Sequence, residues 1–167
     1  IKLSSNFNSK FDLDEKLLKR YSNLLNKFKI TNNIKSLKAD FNNNVSVDLD
    51  NTYKVRDYNY SISGNIEKSE LELVNSIKSK FIKNEIKSIY LSNLTAKMNF
   101  NPKKINFKGE GEYSFNNSDF FKLNFDNNFD KNLVNLLLDF DYGNDLELDF
   151  INYKKSENSI ANFSLIL

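Results

Sequence analysis

Apolar residues recur at every second position through most of this chain. From residue 34 onward, Leu, Ile, Val, Phe and Tyr alternate with Lys, Asp, Glu, Asn and Ser. A period of two places apolar side chains on one face of a β-strand and polar side chains on the other. The pattern therefore predicts a mainly β fold, an antiparallel meander of about eight to ten long strands. One face of this sheet is polar and solvent-exposed, and the other is apolar.

The segment before the meander has a different period. Residues 1–8 alternate weakly and predict a short strand, whereas apolar residues between 11 and 29 recur at spacings of three and four. That spacing indicates an amphipathic helix, and either Asp12 or Asp14 can cap its start. We expect one flanking helix over about residues 12–29 and an antiparallel sheet over 34–167, in a single β-rich domain over 1–167.

Clusters of Asn, Asp, Gly and Ser mark candidate turns within the meander. Pro102 fixes its own φ and lacks a backbone donor, so a turn at 101–103 is favoured. Residues 42–44 fit either a turn or one long strand, and residues 75–87 fit either a helix or a ragged strand. The other predicted turns are 64–65, 116–118, 126–128, 142–144 and 154–156.

The composition excludes several kinds of chemistry. The chain has no Cys, no His and only 4 Gly. Thiolate nucleophiles, Ser-His-Asp triads, Cys- or His-ligated metals and phosphate-binding glycine loops are therefore absent. Lys and Arg number 24 against 22 Asp and Glu, the signs are interleaved, and only Arg20 and Arg56 are arginine. Because nucleic-acid binding needs a basic face, we expect no nucleic-acid partner. We also expect no cofactor.

Two groups of carboxylates remain as candidate sites. Asp139, Asp141 and Asp145 surround Gly143 and faintly resemble a calcium loop, but the EF-hand spacing is not met. Glu110 and Glu112 share a face and are spaced for acid–base work. Both groups fit the solvated face of a hairpin better, so we expect no catalytic residue, no metal site and no enzyme activity.

The apolar face of such a sheet must be covered by something. A helix of about 18 residues is about 27 Å long and covers two or three strands. The remaining face either folds onto itself or holds a ligand, and a Phe- and Leu-rich lining suits acyl chains. The predicted lipid-contacting residues are Leu94, Met98, Phe100, Ile105, Phe107, Tyr113, Phe115, Phe121, Leu123, Phe125, Leu136, Leu138, Phe140, Leu146, Leu148 and Phe150.

The helix, the segments Lys38-Ala39-Asp40-Phe41 and Ser61-Ile62-Ser63-Gly64, and the meander from Leu91 to Phe150 together resemble AsmA-like envelope proteins. These belong to the repeating β-groove lipid transporters of Gram-negative bacteria. The resemblance implies a sheet curled into a groove or half-barrel, which carries phospholipid toward the outer membrane. It also implies a periplasmic fragment of a longer protein, anchored in the inner membrane through a segment outside this chain, where membrane contact would occur. Family members are much longer, and no anchor helix is visible here.

Two alternative functions stay open at this stage. One is a transmembrane outer-membrane β-barrel, whose strands also alternate with a period of two. The many charged residues and the preceding helix make this alternative less favoured. The other is a structural or adhesive β module, in which the apolar face is an ordinary packed core.

Overall fold

The computed structural model describes residues 1–20, 33–79, 82–130, 133–156 and 159–167. Its elements are β1 (Lys2–Leu13), α1 (Glu15–Arg20), β2 (Ile34–Leu49), β3 (Val55–Ser79), β4 (Ile82–Phe100), β5 (Lys104–Ser114), β6 (Phe121–Asp130), β7 (Leu133–Tyr142), β8 (Leu146–Leu148), β9 (Tyr153–Lys155) and β10 (Ala161–Ile166). A short 3-10 turn, Asp149–Ile151, separates β8 from β9.

Eight strands form one antiparallel sheet in the order β1-β2-β3-β4-β5-β6-β7-β10. The predicted mainly β meander is confirmed, and across the described ranges the sheet is open, with β1 and β10 as its edges. The predicted extent of 34–167 needs two corrections. The sheet also includes β1, and the chain leaves it after Tyr142 to form the separate β8–β9 hairpin before returning as β10. No helix in the described ranges is both long enough and apolar enough to cross a bilayer.

The helix begins later than predicted. Asp12 and Leu13 still belong to β1, where they pair with Lys38 and Leu37. Asp14 caps the helix, because its Oδ1 accepts a hydrogen bond of 2.7 Å from the backbone N–H of Leu17. The long ladder to β2 therefore outcompetes helix formation at residues 12 and 13. The predicted helical stretch 21–29 lies outside the described residues.

Two predicted turn regions lie inside strands instead, 64–65 in β3 and 126–128 in β6. Residues 42–44, for which a turn and one long strand were both open, belong to the long strand β2. Pairing with both neighbours overrides the local turn preference of Asn and Gly, since strand formation depends strongly on context. Residues 154 and 155 are also in a strand, β9, rather than in a turn. The turns at 101–103 and 116–118 are confirmed, and within 75–87 every described residue is in a strand.

Two adjacent irregularities coil the centre of the sheet. The pairing of β2 with β3 skips Glu67, and that of β4 with β5 skips a residue next to Asn93. Asn93 has a φ of 49°, in the left-handed region that Asn tolerates. Bulges of this kind bend a strand and increase its twist. Glu67 and Asn93 lie at the same level of neighbouring strands, so both irregularities bend and twist the sheet at one place.

Glycine backbones allow this bend to be tight. A Cβ on Gly109 would lie 2.7 Å from Cζ of Phe125, and one on Gly64 would lie 2.8 Å from Cδ1 of Phe41. The aromatic rings therefore rest directly on the backbone of the neighbouring strand. At the centre of the apolar face, this packing buries Ala39, Leu94, Ala96 and Phe125.

Candidate apolar groove

One face of the main sheet collects most of the predicted lipid-contacting residues. Cross-strand partners share a face. The register therefore aligns Phe100 with Ile105, Met98 with Phe107, and Leu123 with Phe140. The predicted residues brought together in this way are Leu94, Met98, Phe100, Ile105, Phe107, Tyr113, Phe121, Leu123, Phe125, Leu136, Leu138 and Phe140. We call this surface the groove face.

Four predicted residues lie elsewhere. Leu146 and Leu148 are in β8, outside the main sheet, and Phe150 is in the 3-10 turn with 75% of its surface exposed. These three residues continue the even-numbered apolar positions of β7. Because the chain leaves the main sheet at Gly143, they do not lie on the same face as those positions. Phe115 follows the end of β5, and its ring packs edge-on against Tyr113 with centroids 5.1 Å apart.

Aromatic side chains close one end of the groove face. Tyr113 lies 6.3 Å from Phe121 and 6.1 Å from Phe140, measured between ring centroids. Phe163 stacks on Phe140 at 5.4 Å and meets Tyr142 edge-on at 6.1 Å. We call this set, with the hairpin beside it, the covered end. Tyr113 and Tyr142 are both about 95% buried there.

The phenol of Tyr113 links strands that are not neighbours. Its hydroxyl donates a hydrogen bond of 2.7 Å to the backbone carbonyl of Asp141, across the intervening strand β6. Such a reach requires the sheet to be curled at this point. Burial, and to a lesser extent Tyr142 and Asp141, raise the pKa of Tyr113 far above its ordinary value. The hydroxyl therefore stays protonated and keeps donating.

A buried lysine holds the β8–β9 hairpin against this end. Nζ of Lys155 donates to the carbonyls of Gly143, Asn144 and Ser156 at 2.8–3.0 Å, and it lies 5.7 Å from the centroid of the Tyr142 ring. Three acceptors match the three donors of an ammonium group. The β8 strand also approaches β4, so the hairpin packs against the main sheet beyond the end of β7.

The opposite end of the groove face remains accessible. The apolar side chains there come from β1, β5, β6 and β7, and each of them is between 36% and 56% exposed. They are Leu3, Phe7, Phe107, Phe129 and Val134. We call this the open end. Ligand contact is easiest there, because these side chains are only partly packed by the protein.

The sequence patterns missed several residues of the groove face. Phe129 and Val134 pair with each other and continue the row of Ile105. The predicted turn at 126–128 excluded them from the strand. The odd-numbered apolar positions Phe121, Leu123 and Phe125 already indicate that Phe129 lies on the same face. Asn127 lies on the same face opposite Phe107 and Leu136, and within the described part of the chain its buried Oδ1 has no hydrogen-bond partner.

The carboxylate candidates lie on the other, polar face. Glu110, Glu112, Asp139 and Asp141 line a shallow depression of about 860 Å³ together with Lys122. Oδ1 of Asp139 accepts a hydrogen bond from Ser164, and Oδ1 of Asp141 accepts one from Asn162. Over the described ranges, no three His, Cys, Asp or Glu residues are grouped closely enough to hold a metal ion. The depression is therefore a solvent-exposed polar surface, and two of its carboxylates accept hydrogen bonds from neighbouring side chains.

No protein-family model, curated protein or solved structure matches this chain.

Proposed function

We propose that this chain binds the acyl chains of a lipid along its groove face, with the headgroup in water at the open end. The observation that supports the proposal is the uneven burial of one apolar surface. At the covered end Tyr113 and Tyr142 are almost completely buried, whereas the open end leaves five large apolar side chains partly exposed. Contiguous exposed apolar surface generally marks an interaction site.

The energetic basis is the transfer of methylene groups out of water. Each CH₂ that is fully buried contributes about 0.8 kcal/mol, which corresponds to about a fourfold change in the dissociation constant. A single-chain lipid that gains a few buried methylenes at the open end therefore gains substantial affinity. The apolar side chains of the open end supply this contact without any charged partner, so the binding tolerates different headgroups.

In the cell, we propose that the chain acts as part of an envelope lipid-transfer protein that moves phospholipid from the inner toward the outer membrane. The open antiparallel sheet and the resemblance of the sequence pattern to AsmA-like proteins support this role. The chain would lie in the periplasm, and a segment outside it would provide the inner-membrane anchor. The role needs no catalytic residue and no cofactor.

Binding can be tested with lysophosphatidylcholines of 8, 10 and 12 acyl carbons, kept below their critical micelle concentrations. We expect affinity to increase by up to about fourfold per methylene, as for burial in an apolar site. Native mass spectrometry of the purified protein gives an independent readout, the retention of co-purified lipid.

A matched pair of variants locates the site. Phe129→Asp places a charge on the open end of the groove face, and Asn128→Asp places the same charge on the adjacent residue of β6, which faces the polar side. We expect Phe129→Asp to weaken binding at least tenfold and Asn128→Asp to leave it unchanged. Affinity that does not depend on chain length, or equal loss in both variants, would contradict the proposal and would favour an ordinary packed core.

A further inference from the structure

The edge strand β1 is a long and accessible surface. It has 12 residues, its only strand partner among the described residues is β2, and the side chains along its first half are exposed. Phe7, at its centre, is 47% exposed on the groove face. Unpaired edge strands of this length are templates for pairing with another strand unless they are protected.

The backbone groups that face the open edge can be identified from the ladder. Ile1 and Leu49 exchange both of their backbone hydrogen bonds, at 2.9 Å and 2.8 Å. In an antiparallel pair these bonds alternate along the strand, and the pairing of β1 with β2 has no register shift. The odd-numbered residues of β1 therefore bond to β2. The even-numbered residues, from Lys2 to Asp12, direct their N–H and C=O groups outward.

The sequence of β1 is nearly symmetric about Phe7. Residues at equal distances on either side of it are similar or complementary. The matched positions are Asn6 with Asn8, Ser5 with Ser9, Leu3 with Phe11, and Lys2 with Asp12, while Ser4 matches Lys10. An antiparallel pair of identical strands places just such positions opposite each other. The strand is thus complementary to a second copy of itself.

We propose that two copies of this chain associate through β1, antiparallel and with Phe7 on the two-fold axis. In this register the outward-facing even residues lie opposite each other and complete their hydrogen bonds. Apolar residues meet apolar residues on the groove face. Lys2 meets the partner's Asp12. Because Asp48 is paired with Lys2 and Lys38 with Asp12 in each copy, opposite charges alternate across the junction.

Neighbouring registers are less favourable. A shift that pairs Lys2 with the partner's Lys10 places like charges opposite each other and sets Leu3 against Ser9. The shift in the other direction sets Phe7 against Ser9 and Ser5 against Phe11. A two-fold axis at Phe7 is therefore the register that satisfies both faces, and it joins two open sheets of eight strands into one of sixteen with a continuous groove face.

Cysteine cross-linking tests the register directly, because the natural chain contains no Cys. In the proposed dimer, residue 7 lies opposite itself in a pair without mutual hydrogen bonds, at a Cα separation of about 4.5 Å, which a disulfide can bridge. Residue 3 lies about 27 Å from its equivalent, given an offset of eight residues at about 3.4 Å each. We expect Phe7→Cys to form a covalent dimer under mild oxidation at least tenfold faster than Leu3→Cys. The double variant Leu3→Cys with Phe11→Cys should also cross-link.

A charge exchange gives a second, non-covalent readout. Asp12→Lys alone and Lys2→Asp alone each place like charges opposite each other in a homodimer, whereas a mixture of the two variants restores both attractive pairs. We expect sedimentation velocity to show the natural chain dimerising. Each variant alone should dimerise about tenfold more weakly, and the equimolar mixture should recover. Equal cross-linking rates for Phe7→Cys and Leu3→Cys, or no recovery on mixing, would overturn the proposal. Neither outcome depends on lipid binding.

Discussion

Gly143 offers a sharp test of how aromatic rings shape the covered end. A Cβ at this position would lie 1.9 Å from Cζ and 2.1 Å from Cε1 of Phe121, whereas carbon atoms in contact normally lie about 3.5–4.0 Å apart. The backbone of Gly143 does not have a positive φ, so the substitution Gly143→Ala is opposed by the ring and not by backbone strain.

The magnitude follows from two opposing effects. Overpacking a well-filled site costs about 1–3 kcal/mol. Replacing Gly by Ala recovers about 0.4–1 kcal/mol, because the unfolded chain has fewer conformations to lose. We therefore expect Gly143→Ala to lower the free energy of unfolding by about 1–2 kcal/mol. Urea denaturation followed by far-UV circular dichroism measures this change.

A double-mutant cycle shows whether the ring is responsible. In a Phe121→Leu background, the shorter side chain should leave room for the methyl group, so the cost of Gly143→Ala should fall close to zero. At Gly64 the nearest atom to a new Cβ is instead the backbone carbonyl oxygen of Asp40, at 2.0 Å. Gly64→Ala should therefore cost about 3 kcal/mol or more. Its cost should fall only slightly in a Phe41→Leu background, because the carbonyl oxygen of Asp40 stays in place. Equal costs of Gly143→Ala with and without Phe121 would refute the reasoning.

Four further outcomes are expected. Tyr113→Phe should cost about 1–2 kcal/mol in urea denaturation by leaving the Asp141 carbonyl without its donor, whereas Tyr53→Phe at an exposed turn should cost almost nothing. Lys155→Met should cost about 1–3 kcal/mol by leaving buried carbonyls unsatisfied, while Lys154→Met on the exposed side of the hairpin should cost less than about 1 kcal/mol. Because the pKa of Tyr113 is raised on folding, its contribution is fully present below pH 10 and is lost as the pH rises above this value; a urea series from pH 8 to 11 should show a decline that is smaller in Tyr113→Phe. Asn127→Leu should raise stability by about 1 kcal/mol, since it removes a buried acceptor without a partner, and a fall in the denaturation midpoint would count against that assignment.

The sequence predicted the architecture well because alternation is a local property of each strand. Parity alone placed Met98, Phe107 and Phe140 on one face, and the register confirms it. Pro102 likewise marked a turn through its own backbone restriction. These features depend only on residues that are close together in the chain.

Asparagine and glycine inside the strands could not be interpreted in the same way. Asn43 is 4% exposed on the groove face, where its amide donates to Ser9 and accepts from Tyr60, 34 and 17 residues away. A local preference for turns says nothing about such distant partners. Gly64 likewise needs the neighbouring strand β2 to explain it. The covered end was also unpredictable, because the path of the chain after Gly143 depends on contacts of Lys155 with carbonyls that are formed only on folding.

The order of strands in the main sheet has a consequence for how such a protein can change in size. From β1 to β7 every strand lies beside its predecessor in the chain, so each hairpin depends mainly on its immediate neighbours. Structures with this nearest-neighbour dependence lengthen or shorten by whole units without rearranging the remainder. Insertion of one hairpin between β2 and β5, or deletion of β3 and β4, would widen or narrow the groove face by two strand spacings, about 9–10 Å, and leave the covered end and the edge strand β1 in place.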